Sequence, residues 1–158
     1  MNDSGKRWSV YDRDGNLIYL TQERWRHIVT QHPMSPVPIY SYDKEADVLY
    51  ISFAPGEKAT AAVELNDQIL LRFNRAEKRA VGLTLMDFSV LVQLGKLGPR
   101  HFPLTGLAQL EPAWQDDVIE LITQSPVNQI LRVALYMPSM TETVPITSVA
   151  RPAIPLAV

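Results

Sequence analysis

Hydrophobic and polar positions alternate along the middle of the chain with a period of two. In Asp47-Val48-Leu49-Tyr50-Ile51-Ser52-Phe53, Leu49, Ile51 and Phe53 share one face and Val48, Tyr50 and Ser52 the other. The pattern returns at Ala61, Val63 and Leu65, at Ile69, Leu71 and Phe73, and at Val81, Leu83 and Leu85. Polar turn material separates the runs: Pro55-Gly56-Glu57-Lys58, Asn66-Asp67 and Asn74 to Arg79. Residues 40–90 are therefore expected to form a four-stranded antiparallel meander with one apolar face. A helix or a second copy of the sheet would cover that face.

The flanking segments read differently. Around Asp12-Arg13-Asp14-Gly15-Asn16 two β-prone runs, Trp8 to Tyr11 and Leu17 to Leu20, predict a hairpin, since glycine takes the positive φ such turns need. Thr21 is placed to cap a helix that Pro33 ends near His32, and Pro33, Pro36 and Pro38 stiffen the linker beyond it. Residues 87–110 show little period and read as a loop punctuated by glycine and proline. From Pro112 the positions Trp114, Val118, Leu121 and Ile122 define one helical face, with Gln115, Asp116, Asp117 and Glu120 turned to water. A strand over Val127 to Met137 and a return strand over Glu142 to Val149 follow. Pro145 lacks a donor and predicts a sheet edge there. The expected fold class is α+β: an antiparallel β-meander with an N-terminal hairpin-helix and a C-terminal helix plus β-hairpin. Its organisation is 1–39 for the hairpin, helix and proline linker, 40–90 for the sheet domain, and 91–158 for an extension on the same core.

Composition narrows the function classes. With 46% hydrophobic and 20% charged residues the chain has a globular balance. Fifteen basic against seventeen acidic residues give a net charge of −2, so any nucleic-acid contact must be local. The absence of cysteine excludes disulfides, thiol nucleophiles and zinc-thiolate sites. The opening residues lack the apolar stretch of a signal peptide, and no apolar run reaches membrane-spanning length; a cytoplasmic location is the expectation.

Candidate chemistry lies at both ends of the first half. His27 and His32 are five residues apart, which rotates them about 140° around a helix, so they cannot clasp one metal from one face. Trp25, Ile28, Val29 and His32 share a face, leaving Arg24 and His27 on the other. A histidine beside arginines suits acid-base catalysis and phosphate clamping in a metal-free ribonuclease, with His27, Arg24 and Arg26 as the candidates. Arg72, Arg75, Lys78 and Arg79 cluster on one hairpin, where they suit a local phosphate or RNA contact or a charged edge that deters strand-to-strand aggregation. Tyr42, Asp43, Asp47 and Tyr50 form a further polar group at the sheet edge; alternatively the aspartates cap turns and Tyr50 packs across strands.

Two resemblances bear on these residues. Residues 10–34, VYDRDGNLIYLTQERWRHIVTQHPM, resemble the opening hairpin and first helix of the phage-borne barnase/EndoU/colicin/RelE-like nucleases, although the chain then enters a different sheet. Residues 42–89 open on Tyr-Asp and Ala-Asp-x-Leu-Tyr-Ile and close on Gly-Leu-x-Leu-x-Asp-Phe-Ser. They resemble the domain-of-unknown-function 2283 family. That resemblance implies a short antiparallel sheet and an antitoxin-like role opposite a small nuclease-like toxin. Together these readings give a protein-interaction module with no cofactor and no metal, binding a small toxin-like partner or itself by β-augmentation at exposed strand edges. The competing expectations are the ribonuclease and a homodimeric structural protein with no toxin role.

Overall fold

A computed structural model of the chain describes residues 8–11, 17–20 and 37–152. Two compact units divide at Ser35 and Pro36. In the first, β1 (Trp8–Tyr11) pairs antiparallel with β2 (Leu17–Leu20), and the expected Asp-Gly turn between them lies outside the described residues. The helix expected over Thr21 to His32, with Arg24, Arg26 and His27, lies outside the described residues.

The second unit is α+β and is built on a five-stranded antiparallel sheet. Its strands are β3 (Ile39–Asp43), β4 (Val48–Ser52), β5 (Ala61–Asn66), β6 (Ile69–Asn74) and β7 (Arg79–Met86). Their order is β3-β4-β7-β6-β5, so this is neither a four-stranded sheet nor a simple meander. Local turn chemistry accounts for the hairpins β3–β4, β5–β6 and β6–β7. The pairing of β4 with β7 is a long-range one that no turn signals, and with β3 and β7 on its two sides β4 has no edge left for β5.

One face of this sheet is the core face. Leu49, Ile51, Leu65, Ile69, Leu71, Phe73, Leu83 and Leu85 are all fully buried, as the period of two requires. Each such side chain contributes about 1.5–3 kcal/mol when removed from water. The cover comes from the same chain. Val118, Leu121 and Ile122 of α2 (Pro112–Thr123) pack there, as do Leu104 and Leu107 from the segment before it and Leu131 and Val149 from a second sheet. Pro112 opens α2 as expected, where its missing donor is harmless.

The segment expected as a loop is more ordered than its period suggests. It holds the short helix α1 (Phe88–Leu91), the two-residue strands β8 (Leu94–Gly95), β9 (Gly98–Pro99) and β10 (Phe102–Pro103), and a 3-10 turn over Thr105–Gln109. Elements this short carry no periodic signal. The C-terminal strands β11 (Leu131–Tyr136) and β12 (Val144–Val149) form a hairpin, and β10 adds to β12 to give the order β10-β12-β11. Pro145 therefore sits on the central strand and not at an edge. Its carbonyl accepts from Leu104 N at 2.9 Å, so its missing donor faces the β10 side, where β10 pairs only with Ile146 and Thr147. Among the described residues no helix is long and apolar enough to cross a membrane.

Candidate functional site

The polar group at the β3–β4 end divides between the two faces of the sheet. Tyr42 pairs with Leu49 and points to the core side, while Asp43 and Tyr50 belong to the other face. The Asp43 carboxylate accepts from the amides of Glu45 and Ala46 at 3.1 and 3.0 Å and so shapes the hairpin turn. Asp47 stands at positive φ (54°) and has a longer reach: Tyr42 Oη donates to its Oδ1 at 2.7 Å, Ser89 N to the same oxygen at 3.0 Å, and Ser89 Oγ to Oδ2 at 2.6 Å. The Asp47 carbonyl also accepts from Phe88 N at 3.0 Å, and the Phe88 ring meets Tyr42 edge-on at 5.6 Å. This carboxylate ties the β3–β4 turn to the start of α1, joining the opening and closing motifs of the 42–89 segment.

That junction is the feature the two motifs share. A family model described as Protein of unknown function (DUF2283) matches residues 39–89. The DUF2283 segment covers about a third of the chain and coincides with β3 through the start of α1. Comparison with curated proteins and with solved structures finds no match.

Hydrogen bonding sets the ionisation of the junction in the DUF2283 segment. The Ser89 hydroxyl bond, then the Tyr42 bond, hold the Asp47 carboxyl below its ordinary value of 3.8, against an opposing effect of burial. The same Asp47 bond raises the Tyr42 phenol above 10.0, helped by burial and the nearby aspartate charges. Asp47 is depressed in the folded state, so its contribution is complete above its unfolded value and is lost as pH falls through the folded one. Tyr42 is raised, so its contribution is complete below its unfolded value and is lost as pH rises through the folded one. Asp47→Asn keeps a residue that tolerates positive φ but removes the charge. Wild type should be the more stable of the two at neutral pH in urea titrations, and the gap should close below pH 3.8. An unchanged gap at acid pH would show that the carboxylate charge is not what the junction uses.

The basic hairpin between β6 and β7 is largely neutralised from within the chain. Lys78 Nζ lies 3.3 Å from Asp117 Oδ1 and 3.8 Å from Glu120 Oε2, and Arg75 Nε lies 3.8 Å from Asp117 Oδ2. Arg75 also stacks over the Trp114 ring at 4.1 Å, and Arg79 pairs with Glu57 and Glu77. Asp117, expected to face water, is thus a half-buried anchor for the hairpin on α2. Each pair is exposed enough to be worth only about 0–1 kcal/mol.

Arg72 is arranged differently from the other three basic residues. It projects from β6 on the non-core face, opposite Gly82 of β7. Among the described residues no carboxylate lies within ion-pair distance of it and its buried Nε has no hydrogen-bond partner. Its guanidinium occupies the space a side chain at 82 would fill: a Cβ there would stand 2.7 Å from both Arg72 Nη2 and Ile51 O. In the next row of the face, Ser41, Tyr50, Thr84 and Leu70 stand side by side on β3, β4, β7 and β6. Tyr50 is 44% exposed and Ile39, at the end of the Arg72 row, 55%. Sequence reasoning placed Arg72 with the hairpin cations; the alternation of β6 was the available signal that it points elsewhere. No group of three or more His, Cys, Asp or Glu able to hold a metal ion occurs among the described residues.

Proposed function

We propose that the chain is a protein-interaction module, antitoxin-like in role, which binds and blocks a small toxin or nuclease through the non-core face of its five-stranded sheet. The observation that carries this reading is Arg72: a guanidinium with no carboxylate partner among the described residues, set in a face that also presents Tyr50 and Ile39. Arginine and tyrosine are the residue types that most often dominate protein interfaces, because a large, stiff group is buried together with directed hydrogen bonds. The partner that fits supplies a carboxylate to Arg72 and an apolar surface to Tyr50 and Ile39. Pairing of that carboxylate with the Nη atoms would engage the guanidinium on binding.

The test is native mass spectrometry of the tagged protein from its own cells, with and without ribonuclease treatment, beside the Arg72→Glu and Tyr50→Ala variants. A stoichiometric small protein that survives treatment is expected, with affinity reduced about thirtyfold or more by Arg72→Glu, the scale of a hot-spot loss. A bound protein indifferent to both substitutions would reject this face. RNA cleavage by the purified protein that disappears in His27→Ala would replace the reading with a metal-independent ribonuclease using His27, Arg24 and Arg26.

A further inference from the structure

We infer that the chain forms a two-fold homodimer by antiparallel pairing of β11 with β11 of a second copy. This goes beyond the partner reading, since β11 belongs to a different sheet from Arg72. Three observations converge on this strand. The first is its place: β11 ends the sheet order β10-β12-β11. Ile130 O accepts from Ala150 N at 2.8 Å, which fixes the alternation of the β11–β12 ladder. By that alternation Arg132, Ala134 and Tyr136 bond to β12, while Val133 and Leu135 turn their N–H and C=O outward. Such an edge is self-complementary about a two-fold axis at Ala134, where Val133 of each copy meets Leu135 of the other.

The second observation is what surrounds the edge. Leu135 is 70% exposed, Tyr136 55%, Met137 61% and Ile119 of α2 43%. Leu135 and Ile119 line a groove of about 600 Å³ with Leu104, Leu107 and Val144. Two of the other edges are better guarded: the 3-10 turn approaches β5 closely at Gly106, and β10 is only two residues long and contains Pro103.

The third observation chooses the occupant. From Leu131 to Val149 the hairpin carries one cation, Arg132 at its base, and one anion, Glu142 at its tip. Both are exposed, and neither makes an ion pair among the described residues. Antiparallel pairing about Ala134 sets Arg132 opposite Tyr136 of the second copy and two strand spacings, about 10 Å, from its Val144. Two long side chains can span the remaining distance from Arg132 to Glu142 of that copy. Parallel pairing would place like charges together, so the charge pattern fits a second copy in one orientation.

Sedimentation equilibrium of the full chain tests this. A reversible dimer is expected, weakened roughly tenfold by Arg132→Glu or by Glu142→Arg and returned toward wild type when the two are combined. Leu135→Pro removes an outward donor that the monomer does not use. It should abolish the dimer while leaving the thermal midpoint of the monomer and the binding of any Arg72-dependent partner intact. A wild-type monomer at high micromolar concentration overturns the inference, as does a dimer indifferent to Leu135→Pro. Single charge variants that weaken the dimer without recovery in the double variant overturn the antiparallel register.

Discussion

Gly106→Ala should be among the most damaging single-methyl additions to the chain. Gly106 lies in the 3-10 turn over Thr105–Gln109, and a Cβ there would overlap Glu64 O and stand 2.9 Å from Glu64 C and 3.1 Å from Leu65 C. All three atoms are backbone of β5, so no flexible side chain can swing aside. Relief requires the turn to lift from the strand, which carries Leu104 and Leu107 out of the core they help to cover. Overpacking usually costs about 1–3 kcal/mol. With the obstruction in backbone, a loss at or above the top of that range is expected as a fall in the urea midpoint at unchanged slope. Gly56→Ala is the control. Its φ of 81° disfavours a side chain but nothing lies within 4 Å, so it should cost only about 1–2 kcal/mol. Equal losses for the two would show that the turn does not seat against β5 as described.

Phe73→Ala should cost about 3–5 kcal/mol, the usual range for emptying a fully buried aromatic site. Phe73 has no exposed surface and meets Trp114 edge-on at 6.0 Å, and Trp114 in turn lies under Arg75. The substitution therefore opens a cavity in the sheet and also removes the platform that seats α2 beside the β6–β7 hairpin. Equilibrium unfolding gives the total. Amide exchange should show protection lost in α2 as well as in β6. Tyr50→Ala, on the other face, should stay within about 0.5 kcal/mol of wild type in the same assay. A small loss at Phe73 would mean that the C-terminal segment does not cover the sheet in solution.

Side-chain alternation was enough to read most of the candidate surface. It placed Leu49, Ile51 and Phe53 inward and Tyr50 outward, and the same rule applied to β6 separates Arg72 from its hairpin neighbours. The junction was half legible. Asp43 caps a turn, as its position before Lys44-Glu45-Ala46 suggests, but Asp47 instead accepts from Ser89, 42 residues away, and only a folded sheet brings that hydroxyl close. The Asp117 anchor was hidden for the same reason: its partners Arg75 and Lys78 belong to another element, and a helical wheel cannot show them.

What the sequence by itself determined is what depends on neighbours along the chain. The period of two assigned strands and faces, Asn-Asp marked a turn, Pro112 began a helix, and the spacing of Val118, Leu121 and Ile122 chose its buried stripe. Tertiary structure alone decided what depends on partners distant in the chain. It paired β4 with β7 and put Pro145 on a central strand. It also covered the apolar sheet with the chain's own C-terminal segment and left Arg72 without a carboxylate among the described residues. Backbone hydrogen bonds and apolar contacts are non-specific as to sequence distance, so the choice among long-range pairings rests on how the whole core packs.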